Sequence, residues 1–238
     1  MTMWPVTTLR GKLARAALVI QEYQKAERDF IHSGATDARH DEGGGLIIDM
    51  KPVPESLSAI AGDVLQDLRS ALDHEVHRMA VAAKGKDWSG LDKCAFPLHR
   101  EDEAAYATPR ETMIGALPDV VKDVIDAVQL FRNPRDPATD DLELLNELAR
   151  RDRHRLLHLV VIQVTGIDAD VVSPEELTGK LIGEVTPTTT HGVRVRMKMR
   201  AAFAEPPAES APVAPTLVRL ALTVKDVLGR MRLAEAES

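Results

Sequence analysis

Aromatic side chains are nearly missing from this sequence: two tryptophans, two tyrosines and four phenylalanines make up 3% of its 238 residues. Leucine, valine, isoleucine and alanine must therefore fill the interior, which favours closely packed helices over an aromatic-lined cleft. Cysteine is scarcer still. The single Cys94 excludes an internal disulfide and a multi-cysteine zinc site, and reads as a buried or incidental thiol. Long apolar runs are absent as well, with nothing near the roughly 20 residues of a membrane-spanning helix. The apolar stretch 16–20 is too short for a signal-peptide core and is followed at once by charge. These absences lead to the expectation of a cytoplasmic protein with no membrane partner. Positive charge is not in excess either, since 30 Lys and Arg stand against 37 Asp and Glu for a net charge of −7. A surface coated for nucleic acid is disfavoured, although a local basic patch is not.

What is present is ordinary for a globular chain, at 44% apolar and 28% charged residues, and long enough for one generous domain. Leu9, Leu13, Ala16, Ile20, Tyr23 and Phe30 recur at alternating spacings of four and three, broken once by Glu27, which predicts a helix over residues 8–31. The glycine-containing tract 32–45 cannot extend it, and 46–53 reads as a short strand closed by Pro52 and Pro54. A second helix spans 55–83 with Leu65, Leu68, Leu72, Val76 and Met79 as its stripe. The stretch 84–110 reads as irregular, with Trp88 and Phe96 as plugs. Val120, Val121, Val124, Ile125 and Val128 mark a third helix. With Thr139 as N-cap, a fourth runs to residue 158. Strands follow at 159–167 and 193–203, then a proline-rich linker over 205–215 and a last helix from 216. The expected fold is mainly α (α+β class): one domain over 1–238, a helical bundle over 8–158 and 216–235 carrying a small antiparallel sheet from 46–53, 159–167 and 193–203.

On a wheel of about 100° per residue, Gln66, Arg69, Asp73 and His77 fall beside the apolar stripe of the second helix. Asp152 and Arg155 fall within the buried face expected for the fourth, defined by Leu144, Leu145, Leu148, Ala149, Leu156 and Leu159. Inward charges need partners, because an unpaired buried charge costs several kcal/mol. The simplest arrangement packs the two helices so that Arg69 and Arg155 share Asp73 and Asp152. Two readings of this seam stand: a structural lock that fixes helix register, or a site whose charges face a substrate.

The run from Ala61 to His74, Ala-Gly-Asp-Val-Leu-Gln-Asp-Leu-Arg-Ser-Ala-Leu-Asp-His, resembles an uncharacterised bacterial family common in actinobacteria. Its members carry a Gly-Asp-x-Leu-x-x-Leu-Arg-Ser-Ala-Leu-Asp-His helix, then a Phe-Pro pair as at Phe96-Pro97, then an Asp-Lys/Arg-His-Arg motif as at Asp152-Arg153-His154-Arg155. The likeness covers roughly residues 8–160 and bears on the fold. More remotely, Arg69-Ser70-Ala71-Leu72-Asp73-His74 is similar to the Arg-x4–6-His signature of HEPN domains, helical bundles that often act as ribonucleases. By that resemblance, Arg69 stabilises a phosphate and His74 moves a proton during attack by the RNA 2′-hydroxyl, with no metal. Asp73, Asp152 and Arg155 complete the candidate catalytic group.

The strand at 193–203 alternates cleanly, with Arg194, Arg196, Lys198 and Arg200 on one face. At roughly 6.6 Å spacing they make a basic ribbon, either an RNA-binding track or a solvated sheet face. His154 with His158, and His74 with His77, have helical spacings but are expected to be exposed, so no metal and no other cofactor is assigned. Two functions remain. One is an RNA-acting, HEPN-like endoribonuclease. The other is a non-catalytic structural or regulatory helical protein whose ion pairs fix packing. RNA, a second copy of the chain and an antitoxin-like protein are the candidate partners.

Overall fold

A computed structural model describes residues 7–34, 36–40, 46–100, 102–134, 136–171 and 193–238; within these, the side chains of 7–10, 36–40, 46–48, 162–171 and 193–198 lie outside the description. The chain is mainly helical, with α1 (Thr7–His32), α2 (Glu55–Lys84), α3 (Glu103–Ile114), α4 (Asp119–Ala127), α5 (Pro137–Asp152) and α6 (Val213–Glu237). Among the described residues four strands accompany them: β1 (Thr36–His40), β2 (Leu46–Met50), β3 (Leu159–Val171) and β4 (Val193–Phe203). This is the expected α+β class. No described helix is long and apolar enough to cross a membrane.

The backbone groups into two compact units, described in turn. Unit 1 comprises Met1–Ile20, Gly62–Arg155 and Thr216–Ser238. Its spine is α2, whose stripe Leu65, Leu68, Leu72, Val76 and Met79 is buried to 1% exposure or less, as the periodicity requires. Ile114, Val121, Ile125, Leu142, Leu145, Leu217, Leu220 and Val224 join it in the core. Fully burying one such aliphatic side chain contributes on the order of 1.5–3 kcal/mol. Phe96 plugs this core, as expected, at 0% exposure.

Four expectations need correction here. The stretch 84–110 is not wholly irregular: α3 occupies its end, N-capped by Asp102, which accepts from Ala105 N. Pro109, within α3, and a weak apolar stripe hid it. Asp136, not Thr139, caps α5 by accepting from Ala138 N, with Pro137 in the first turn. Finally, α5 stops at Asp152 instead of continuing to residue 158, so Leu156 leaves the buried face and is 50% exposed.

Unit 2 comprises Gln21–Ala61 and Leu156–Pro215. The fourth correction lies in its strands. They form two separate two-stranded antiparallel ladders, β1 with β2 and β3 with β4, instead of one three-segment sheet. β1 falls in the tract 32–45 and carries no apolar alternation to announce it. In the longer ladder Leu159 pairs with Phe203 and Val171 with Val193, interrupted by irregularities between Gln163 and Asp168. Tyr23, Ile31, Met199, Ala201 and Phe203 are buried in this unit.

Candidate functional site

The polar seam lies in unit 1, along the α2 edge that flanks the leucine stripe. Arg69 and Asp73 are one turn apart, and Arg69 Nη1 donates to Asp73 Oδ1 at 2.7 Å. Both then turn onto the same residue of the loop before α3. Arg69 Nη2 donates to the carbonyl of Phe96 at 2.8 Å, and Phe96 N donates to Asp73 Oδ1 at 2.9 Å. The pair thus grips one residue's backbone by both of its polar groups. The Arg69 side chain is only 12% exposed. Burial pushes its guanidinium below the ordinary arginine value; Asp73 opposes the fall and the positive Arg153 adds to it.

One turn earlier, α2 meets α5. Gln66 Nε2 donates to Ala149 O at 2.8 Å and to Asp152 Oδ2 at 3.1 Å, covering the C-terminal end of α5. Gly62 makes the approach feasible, because a Cβ placed there would overlap the Asp152 carboxylate. Burial raises the Asp152 carboxyl above the ordinary aspartate value, against the Gln66 bond, and the nearby Asp63 raises it further. Among the described residues, no cation forms an ion pair with Asp152.

This contact makes a clean prediction. Alanine is better than glycine inside a helix by about 1 kcal/mol, but here it must displace a carboxylate and break the Gln66 bond, worth about 1–3 kcal/mol. Gly62→Ala is expected to lower the stability of the parent by about 1 kcal/mol, and to raise it by about 1 kcal/mol once Asp152 is alanine. Urea unfolding of the four proteins of this cycle checks it. Equal effects in both backgrounds would show that the two residues do not meet.

The anticipated four-member network is therefore corrected. Arg69 and Asp73 pair with each other and with Phe96, while Asp152 is held by Gln66 instead of by an arginine. Arg155 lies beyond the end of α5, exposed, where no helical face can turn it inward. Of that motif, it is Arg153 whose charge reaches Arg69. His74 and His77 are exposed. Because α2 runs unbroken to Lys84, Arg69 and His74 point about 140° apart and do not converge within this chain. His154 and His158 are both exposed and, with α5 ended, share no helix; His158 Nδ1 lies 3.9 Å from Glu205 in unit 2.

The basic strand is β4, with the predicted bounds. Arg200 is exposed and sits in register with Ile162. Arg194 stands opposite Asp170, Arg196 opposite Asp168 and Lys198 opposite Thr165. Two of the four cation positions thus face an acidic position across the ladder, an arrangement that favours pairing between strands. Where the side chains of Arg194, Arg196 and Lys198 point lies outside the described residues.

What sequence reasoning missed is a set of carboxylates buried deeper than the seam. In unit 1, Glu75 is 0%, Asp67 and Asp126 3%, and Asp141 4% exposed. Each ties its helix to another. Glu75 accepts from Arg232 of α6 at 2.8 Å and Arg78 at 3.1 Å, and Asp67 pairs with Lys12 and Arg15 of α1 at 2.8 and 3.1 Å. Asp126 accepts from Tyr106 Oη and Arg110 of α3 at 2.8 and 2.9 Å, while Asp141 meets Arg219 and Thr223 of α6 at 2.7 Å each. Buried ion pairs clasp the helices at several joints, not at one. No spacing in the sequence marks these four, since each meets a partner on another helix. No protein-family model, curated protein or solved structure matches this chain.

Proposed function

We propose that this chain is a non-catalytic structural or regulatory helical protein, in which the polar seam joins α2 to the Phe96 loop and to α5. One observation carries the reading: the Arg69–Asp73 pair is engaged by both backbone groups of a fully buried residue. A guanidinium serving a phosphoryl transition state needs donors free to meet it. Arg69 instead directs a donor at each terminal nitrogen into the protein.

The competing proposal is a metal-independent, HEPN-like ribonuclease. It is favoured by Arg153, whose proximity to Arg69 brings a second guanidinium to the same edge, where an anion would be attracted. Incubating the purified chain with total RNA and EDTA, beside His74→Ala, separates the two. The structural reading expects no cleavage by either protein. Cleavage by the parent that falls at least a hundredfold in His74→Ala, in line with the size of general acid–base contributions, would replace it with the ribonuclease.

A further inference from the structure

We propose that the solvent face of α6 is a docking surface for a second copy of this chain, whose own α6 lies antiparallel against it about a two-fold axis.

That face carries an exposed apolar stripe. Of the seven large apolar side chains exposed among the described residues, three lie on α6: Val218 at 36%, Leu222 at 60% and Leu233 at 67%. At about 100° per residue, these three and Gly229 fall within about 60° of one another. Apolar residues exposed singly need no explanation, but a stripe of them along one helix does. Gly229 sits in its middle, and a Cβ built there would meet nothing within 4 Å. Glycine inside a helix is less stable than alanine, and no contact among the described residues demands it here. Close approach of another backbone does.

The charges beside the stripe identify the occupant. One edge carries Arg219, Asp226, Arg230 and Glu237. Arg219 and Glu237 lie nine residues to either side of position 228, and Asp226 and Arg230 two residues to either side of it. A two-fold axis at that position reverses the helix and brings the same edge of each copy together. Arg219 then meets the second copy's Glu237, and Asp226 the second copy's Arg230. The same register sets Leu222 within about 1.5 Å of the level of the second copy's Leu233, and the two Gly229 residues about 3 Å apart along the axis, at the crossing. Arg219 also holds Asp141, and Asp226 lies 3.8 Å from Arg230 of its own helix, but the Arg219 and Asp226 side chains are 56% and 63% exposed and open to further partners. On the other edge Lys225 meets the second copy's Arg232, whose charge Glu75 already matches. A partner of another kind needs no such symmetry. Exposed ion pairs add little affinity each, and here they fix the register.

Sedimentation velocity of the full chain over a concentration series reads the association. One helix pair makes a contact smaller than a standard interface, so the parent is expected to pass from monomer to dimer with a Kd on the order of micromolar. Leu222→Glu sets a carboxylate against Leu233 and is expected to weaken the dimer by about tenfold or more. Asp226→Arg faces Arg230 of the second copy with a like charge and is expected to weaken it by about tenfold; adding Arg230→Glu is expected to restore it to within about twofold. A parent that stays monomeric at every concentration overturns the proposal. So does a dimer that Leu222→Glu leaves intact, since its contact then lies on another face. A loss in Asp226→Arg that Arg230→Glu fails to restore also overturns it, because the exchange returns each facing charge to an opposite one.

Discussion

Replacing both arginines that hold Glu75, as the double variant Arg78→Met with Arg232→Met, is expected to destabilise the protein by about 3–5 kcal/mol at neutral pH. The asymmetry of the clasp sets the size. Glu75 is 0% exposed, whereas the Arg78 and Arg232 side chains are 41% and 39% exposed. Removing the carboxylate lets both cations turn to water. Removing the cations strands a charge that has no water to turn to. The pH dependence should reverse along with the loss. In the parent, burial raises the Glu75 carboxyl, but the Arg232 and Arg78 hydrogen bonds outweigh it and hold the group below the ordinary glutamate value. That stabilisation is complete above the unfolded value and disappears as pH falls through the lower folded one. In the variant only burial remains, the folded state binds the proton more tightly, and acid stabilises it relative to neutral pH. Urea unfolding at pH 7 and pH 4 reads both effects. A loss below about 1 kcal/mol at pH 7, or a gap between parent and variant that does not narrow in acid, would show that Glu75 is not committed to these arginines.

How legible these features were depended on distance along the chain. The stripe of α2 and the strand β4 were read from local periodicities, and the structure reproduces the buried stripe and the strand's bounds. The Arg69–Asp73 pair was legible because its members are one helical turn apart. The Glu75 clasp was not, since Arg232 lies 157 positions away and no spacing rule reaches that far. Asp126 and Asp141 were hidden for the same reason. The end of α5 failed differently. Residues 153–158 contain neither glycine nor proline, so nothing in them stops a helix. The chain leaves the helix there because Leu159 begins a strand whose partner, β4, is set by tertiary pairing. That early stop carried Arg155 out of the seam and left Asp152 to Gln66. Glu27 shows the converse: the apparent defect in the stripe of α1 marks a buried polar contact, its Oε1 accepting from Ala201 N at 2.8 Å.

The seam itself is tested most severely at Asp73. Asp73→Ala is expected to cost about 3–5 kcal/mol, because it breaks two kinds of contact at once. Arg69, 12% exposed, loses its counter-charge and keeps only the Phe96 carbonyl among its described partners. Phe96 N loses its acceptor beside a ring that is 0% exposed, and an unmade buried hydrogen bond costs about 1–3 kcal/mol. Removing both charges together behaves otherwise. Arg69→Met with Asp73→Leu replaces an ion pair by apolar groups of similar volume, a change that is often neutral. The Phe96 backbone then accounts for most of the remaining loss, expected at about 1–3 kcal/mol. The double variant should therefore be more stable than Asp73→Leu alone, which strands Arg69 in the same way; two independent contacts cannot produce that order. Thermal unfolding of parent, both single variants and the pair gives the answer directly. Strictly additive losses would mean that Arg69 and Asp73 do not act as one joint, and the structural reading of the seam would fall with them.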